Sequence, residues 1–321
     1  MPQDLSTNIR YGTRAGRPCH RFKHKYKNKK SKTDMATGLF LGLATLDLVY
    51  LAVGPPQENQ KVVAADCTIA AGGPATNAAV TFSGLGNAAI LAGVLGTHAI
   101  AQLIRADLAE YNVTIIDLAP GRSHSPPVSS IIVTEATGDR AVVSINATKS
   151  QVDSQAINQD ILTSVNIILF DGHQIAASQE IAQLAQLKNI PIVLDGGSWK
   201  PGLAEILPFV EWAVCSDNFH PPDCDNSEQV FAYLSAAGIS NIAITRGEKP
   251  IQYFTNDSFG SLEVPQIQAA DTLGAGDIFH GAFCHYILQE NFINALAAAA
   301  KIASYSCKSL GTREWSKNIQ P

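Results

Sequence analysis

The stretch Asp271-Thr272-Leu273-Gly274-Ala275-Gly276-Asp277 sets two acids and two glycines directly ahead of a helical run at 278–289. Where a loop turns into a helix, the first backbone N–H groups have no internal partners, and the helix dipole adds partial positive charge. Gly274 and Gly276 put no Cβ between that backbone and a ligand. The turn reads as an anion cradle with a carboxylate, Asp277, at its lip. Phosphoryl transfer needs such a pairing. The amides of Leu273 to Gly276 can hold migrating charge, and Asp277 can take the proton of an attacking hydroxyl.

A second cluster is Ala71-Gly72-Gly73-Pro74-Ala75-Thr76-Asn77. Pro74 suits a first helical turn, and Asn77 then lies near a helix start, on the side of the preceding loop. Its amide can donate to and accept from hydroxyls, or a helix simply begins there. Asp47 falls just beyond an apolar run at 38–44. At the carboxyl end of a parallel strand it is a ligand candidate; otherwise it caps a turn.

Those clusters need elements to hold them. The run 38–44 is short and apolar, as a buried strand is. Residues 61–70 have strand character, and an Ala-rich helix runs to about Leu85. Strand, helix and strand alternate through 88–95, 99–111 and 113–118. A hairpin follows at 126–135 and 140–145, around Thr137-Gly138-Asp139. Two strands with no helix between them break the rhythm, so they are expected to stand off the main sheet, paired with 61–70. Strands at 165–170, 190–194, 212–215 and 242–245 and helices at 176–187 and 227–237 then resume it. A late hairpin at 251–254 and 262–264 and helices at 278–289 and 293–308 close the chain. Asp171-Gly172, Asp195-Gly196, Ser216-Asp217 and Arg246-Gly247 end four of the strands. The pattern is that of an α/β fold, doubly wound, with a mostly parallel central sheet flanked by helices and a small β lid.

The 321 residues are 46% hydrophobic with a mean hydropathy of +0.06, which suits a large soluble core. No apolar run reaches the ~20 residues of a bilayer span. Residues 1–34 hold 10 of the 23 Lys/Arg and 2 of the 28 Asp/Glu. The body is therefore acidic, which argues against general nucleic-acid binding by the fold. Residues 1–35 are expected to be a basic, disordered extension, and 36–321 the folded domain. The extension lacks the apolar core of a secretion signal. It is an arm for nucleic acid or an anionic surface, an inert tail, or sequence upstream of the working start. The last reading is favoured because Met35 immediately precedes the first strand. Six cysteines without CxxC or metal-type spacing point to a reduced, cytoplasmic setting. No Walker A, HExxH or GxSxG pattern is present, and no GxGxxG follows a strand.

Asp271 to Asp277 with Ile278-Phe279-His280-Gly281-Ala282-Phe283 resembles the C-terminal signature of the ribokinase/PfkB-like carbohydrate kinases. Ala71 to Asn77, through Gly86, resembles their N-terminal signature. The likeness covers about residues 36–312, with both motifs in the family's order. It implies ATP-dependent phosphorylation of a sugar hydroxyl with Mg²⁺, and in many members a monovalent cation such as K⁺. By position, Asp277 is the base and Gly274, Ala275 and Gly276 form the anion hole. Asp47, Gly72, Gly73 and Asn77 contact the sugar, and Asp171 and Asp195 end central strands in the same region. Thr245 and Gly247 match the nucleotide side, together with Gly274 and Gly276. Asp271 and Thr272 lie where the cation binds. Arg140, on the lid, reaches a substrate phosphate or faces solvent. The lid is often a dimer surface, so a homodimer is expected.

The chain departs from the family in two places. The Asn-x-x-Glu element that orders Mg²⁺ through water reads Ser216-Asp217-Asn218-Phe219 here, leaving Asp217 as the available acid. His280 replaces an Asn or small residue, and can tune the base, bind substrate or pack. The Phe279–Phe283 variant resembles the branch of ketohexokinase-like and sulfofructose-kinase-like enzymes, which favours a ketose or related polyol. Two rivals stand beside this reading. One is a nucleoside kinase of the same fold, which wants an aromatic-lined pocket in a chain that is 7% aromatic. The other is a non-catalytic sugar sensor or nucleic-acid-associated protein that uses the basic arm.

Overall fold

Neighbouring residues of the strand Thr37–Leu41 (β1) belong to different cores: Phe40 faces one, Leu39 and Leu41 the other. A strand's side chains alternate between faces, so an unbroken apolar run means a sheet covered on both sides. The structure, a computed structural model, describes residues 35–153 and 157–318. The basic extension lies outside them.

In chain order, β1 leads to β2 (Thr45–Ala52), β3 (Asp66–Gly72), α1 (Pro74–Gly84), β4 (Ala88–Gly93), α2 (Ala99–Glu110) and β5 (Val113–Asp117). Then come β6 (Val128–Thr134), β7 (Arg140–Ser144), β8 (Ile167–Phe170), α3 (Ile175–Lys188), β9 (Ile192–Gly196) and β10 (Trp212–Ser216). The rest is α4 (Ser227–Ala236), β11 (Asn241–Arg246), β12 (Lys249–Thr255), β13 (Ser258–Leu262), α5 (Ala275–Ile287) and α6 (Phe292–Ser306).

The main sheet has nine strands in the order β13-β12-β11-β10-β9-β8-β1-β4-β5. All pairs from β11 to β5 are parallel; β12 and β13 add an antiparallel edge. Ala78, Ile104, Phe283 and Leu296 bring α1, α2, α5 and α6 onto one face. Ile181 and Phe231 bring α3 and α4 onto the other. Burying each such large side chain contributes about 1.5–3 kcal/mol, so the strand ends that carry polar groups rest on a firm base. The doubly wound expectation holds.

A second sheet of four strands, in the order β3-β2-β6-β7, forms the lid. It differs from expectation in two respects. Residues 45–52 are an eight-residue strand, and Asp47 sits inside it rather than in a loop. That strand lies between β3 and the β6–β7 hairpin, so the hairpin does not pair with β3 directly. Asp47 broke the apolar pattern, but its carboxylate fits the strand because it stands over Gly72, where a Cβ would strike it. The lid strand β3 also begins at Asp66, later than 61. In the late hairpin the second arm is Ser258–Leu262, not 262–264. Asn256 and Asp257 have φ of 50° and 58°, a two-residue turn with both φ positive, and that fixes the register.

Val49, Ile131 and Val133 of the lid pack with Leu273 and Leu310. The lid therefore rests on the residue that opens the glycine turn. Its far side leaves Ile69 57% and Val143 76% exposed.

Candidate active site

Two helix starts meet above the sheet, and a glycine lets them. At Gly281 of α5 a Cβ would collide with the Ala78 carbonyl oxygen and the Thr81 side chain of α1. With no side chain there, the helices close up and their first turns come together. Asn77 then donates from Nδ2 to Asp277 Oδ2 at 2.8 Å, across 200 residues of sequence.

The turn into α5 is shaped from beneath. Asp271 is buried, and its two carboxylate oxygens accept from Leu273 N and Gly311 N, both at 2.8 Å. Gly274 is the N-cap with φ 68°, and a Cβ there would also press on the Thr312 methyl. Only glycine meets both conditions. Ala275 N points to Thr272 O at 3.3 Å. The cradle is therefore shorter than expected. The Leu273 and Ala275 amides are committed, which leaves those of Gly274 and Gly276, with the first-turn N–H of Asp277 beside them. At Gly276 a Cβ would meet nothing within 4 Å, so the backbone there opens to a ligand.

Asn77 is in turn held by Arg313. This buried guanidinium donates from Nη1 to Asn77 Oδ1 at 2.9 Å and to Thr312 Oγ1 at 2.8 Å. Nη2 donates to Ala71 O and, at 3.1 Å, to Asp107 Oδ2 of α2. Arginine only donates, so it fixes Asn77 with its oxygen inward and its amide nitrogen on Asp277. Asn77 was expected to both donate to and accept from a substrate hydroxyl; its oxygen is instead taken. Arg313 was missed by sequence reasoning. Its one local signal is a lone cation in the polar turn Gly311-Thr312-Arg313 after an Ala-rich helix.

Asp47 is buried above Gly72, in register with Ser129 of β6, and its Oδ1 has no hydrogen-bond partner. Burial raises its pKa to about 6, against the pull of the Ser129 hydroxyl and the Arg313 charge. Gly73 is the N-cap of α1, packed against the Leu43 carbonyl. Asp277 is pushed up to about 7 by burial and by the Asp195 charge. Its Asn77 hydrogen bond and His280 act the other way.

Two more aspartates end strands here. Asp171 accepts from Leu43 N at 2.9 Å, Ala75 N at 3.1 Å and His173 N at 2.9 Å. Despite burial, the His173 ring and these amides bring its pKa down to about 2. Asp195 is equally buried, but its Oδ2 has no hydrogen-bond partner, and its pKa is raised by desolvation.

The other expected residues divide. Thr245 is the second-last residue of β11, its hydroxyl on Cys215 O at 3.3 Å, and Gly247 has φ 62° with open space where a Cβ would be. Beside them lies a cavity of about 250 Å³ lined by Ser216, Asp217, His220 and Asn226, among others. Asp217 is exposed there, whereas Phe219 is a core residue against Trp199. Arg140 is exposed on the lid but engaged. Its Nη1 donates to Thr272 O at 2.9 Å and Thr272 Oγ1 at 2.8 Å. Each Asp271 carboxylate oxygen accepts one backbone amide and Thr272 Oγ1 accepts from Arg140, so each oxygen keeps a further lone pair. Among the described residues, no helix is long and apolar enough to cross a membrane.

The chain is similar to known proteins over most of its length. The family model described as pfkB family carbohydrate kinase matches residues 35–318. A Salmonella typhi deoxyribokinase is 24% identical over 298 residues, covering 87% of this chain and 95% of that protein. A Bacillus subtilis ribokinase is 24% identical, covering 85% and 93%. Among solved structures, Arabidopsis thaliana ribokinase complexed with ribose and ATP superposes with a TM-score of 0.69 at 20% identity, covering 86% of this chain and 94% of that one. Giardia lamblia ribokinase gives a TM-score of 0.71 at 18% identity, covering 88% and 98%. This chain belongs to the pfkB family of carbohydrate kinases, enzymes that move a phosphoryl group from ATP to a sugar hydroxyl.

Proposed function

We propose that this kinase phosphorylates a primary hydroxyl of a neutral sugar, a ketose or related polyol, with Asp277 as the base. One observation carries the reading. Asp277 lies at the lip of the open Gly276 amide, held by Asn77 on one oxygen, with a pKa of about 7. A base near neutrality is matched to accepting a hydroxyl proton. The amides of Gly276 and Asp277, with Gly274 and Ala275 shaping the turn, receive the charge of the migrating phosphoryl group.

The sugar lies between Asp47 and Asp277. Gly72 and Gly73 form its backbone wall and the Asn77 amide fixes the base. Two carboxylates, with Arg313 and Arg140 already engaged, favour an uncharged acceptor. ATP lies along Thr245, Gly247 and the glycine turn. Asp217, exposed beside the cavity, would hold Mg²⁺ through water, and the ion would neutralise phosphate charge. The exposed apolar face of the lid supports a homodimer. The five described cysteines are unpaired, in keeping with a cytoplasmic setting.

The test is nucleotide consumption over ketoses, pentoses, other aldoses, sugar phosphates and nucleosides, with Mg²⁺ and with or without K⁺. Pentoses are included because the relatives above are ribose and deoxyribose kinases by name. Turnover of a neutral ketose or polyol is expected. Turnover confined to nucleosides or sugar phosphates would overturn the substrate class, and an active Asp277→Asn enzyme would overturn the base.

A further inference from the structure

His280 lies one helical turn beyond Asp277 on α5 and is 4% exposed. Its Nδ1 is 2.7 Å from the Gly276 carbonyl oxygen and 3.4 Å from Asp195 Oδ2. Its Nε2 is 3.0 Å from the Val214 carbonyl oxygen of β10. A carbonyl oxygen only accepts, so each contact is a hydrogen bond only if that ring nitrogen carries a proton. A neutral imidazole carries one. Asp195 Oδ2 is buried without another partner, so the nearest compensation for its charge is this ring.

We propose that His280 is a positioning residue: as a doubly protonated imidazolium it balances the buried Asp195 carboxylate beneath Asp277 and anchors the Gly276 carbonyl at the mouth of the anion turn. The inference rests on Asp277 being the base. Asp195 opposes ionisation of Asp277 and His280 favours it. The ring thus favours the charged form of the base while fixing the peptide whose N–H faces the phosphate.

The other groups around this pair act on Asp195 less than the ring does. From β10 comes the Cys215 thiol, and from α5 the Cys284 thiol; burial, and then the Asp195 charge, pushes both upward, so they stay neutral. Asp171 opposes ionisation of Asp195, and Lys200 and His173 favour it, each by less than His280 does. Asp47 adds further negative charge on the sugar side.

The first measurement needs no variant. Nitrogen-15 NMR of ring-labelled wild-type enzyme at pH 8 should show protons on both His280 nitrogens; a single neutral tautomer would overturn the proposal. The second is the pH profile of kcat/KM. In His280→Gln the acid limb should move up by about one pH unit, as expected for removing an opposite charge. Adding Asp195→Asn should bring it back, with KM for ATP little changed throughout. An unmoved limb in His280→Gln, or no return in the double variant, would overturn the inference. An active Asp277→Asn enzyme would instead sink the reading of the base, leaving the NMR result to stand alone.

Discussion

Asp171 and Asp195 end adjacent parallel strands, and each is followed by glycine, yet their carboxylates live in opposite surroundings. Asp171 collects three backbone N–H groups and the His173 ring, and its acid form is suppressed. Asp195 has one buried oxygen without a hydrogen bond, and its acid form is favoured. Donors, more than depth, separate them. Asp171 ties the loop after β1 and the start of α1 to the sheet, so it is structural. Asp195 has no such donors, and its field, opposed by the His280 ring, reaches Asp277.

The sharpest way to break this contrast is at Asp277. Asp277→Asn should lower kcat by about 10²–10⁴-fold, the range for losing a general base. It should also raise the melting temperature at pH 8. Because the folded pKa is about 7 against 3.8, the folded protein binds more protons than the unfolded chain between those values. Stability therefore falls as pH rises through that window, and asparagine removes the loss. Scanning calorimetry at pH 4 and pH 8 checks the sign, since the gain should shrink at pH 4. A variant less stable at both would place Asp277 with the structural acids.

Asp171→Asn tests the other side. Its folded pKa of about 2 against 3.8 corresponds to roughly 2 kcal/mol of stability. That stability is present above the unfolded value and is lost as pH falls towards 2. The amide also turns N–H groups towards N–H groups, so urea denaturation at pH 7 should show a loss of about 2–4 kcal/mol. At pH 3 the difference should narrow. The loss in kcat should be far smaller than for Asp277→Asn, and a comparable loss would erase the distinction.

Nothing local in the sequence separates those two aspartates, because both read as Asp-Gly after an apolar strand. What was legible had local causes. The two glycine turns announce helix starts through Gly and Pro chemistry, and the βα rhythm follows from strand and helix periods. What was illegible depended on partners far along the chain. Arg313 meets Asn77 across 236 residues, and no spacing rule anticipates that. The strand β2 was missed because Asp47 interrupts its pattern, and only Gly72 and Ser129 make that carboxylate acceptable there. The role of His280 required the Val214 carbonyl, which belongs to another strand.

Arg313→Lys probes how far the order around Asp277 reaches. Lysine keeps the charge but loses the planar fork that holds Asn77, Ala71 and Asp107 together. Freed from its oxygen contact, the Asn77 amide can rotate away from Asp277. Losing a charge-assisted hydrogen bond at about 1.5–3 kcal/mol implies about a 10–100-fold fall in kcat/KM for the sugar. The acid limb should move up, because the Asn77 bond favours ionised Asp277. An unchanged limb would mean that Asn77 keeps its orientation without the guanidinium.

Arg140→Ala should do least. Its guanidinium holds the lid edge to Thr272 through two bonds, but it is exposed. Exposed polar contacts contribute no more than about 1 kcal/mol. The same lid also rests on Leu273 and Leu310 through Val49, Ile131 and Val133, a contact that excludes water and survives the substitution. Steady-state kinetics should therefore show no more than about a fivefold change in KM for the sugar, since 1 kcal/mol is about a fivefold effect. A much larger change would mean that lid closure hangs on one arginine. The boundary between structural and chemical residues would then run through the lid rather than along the strand ends.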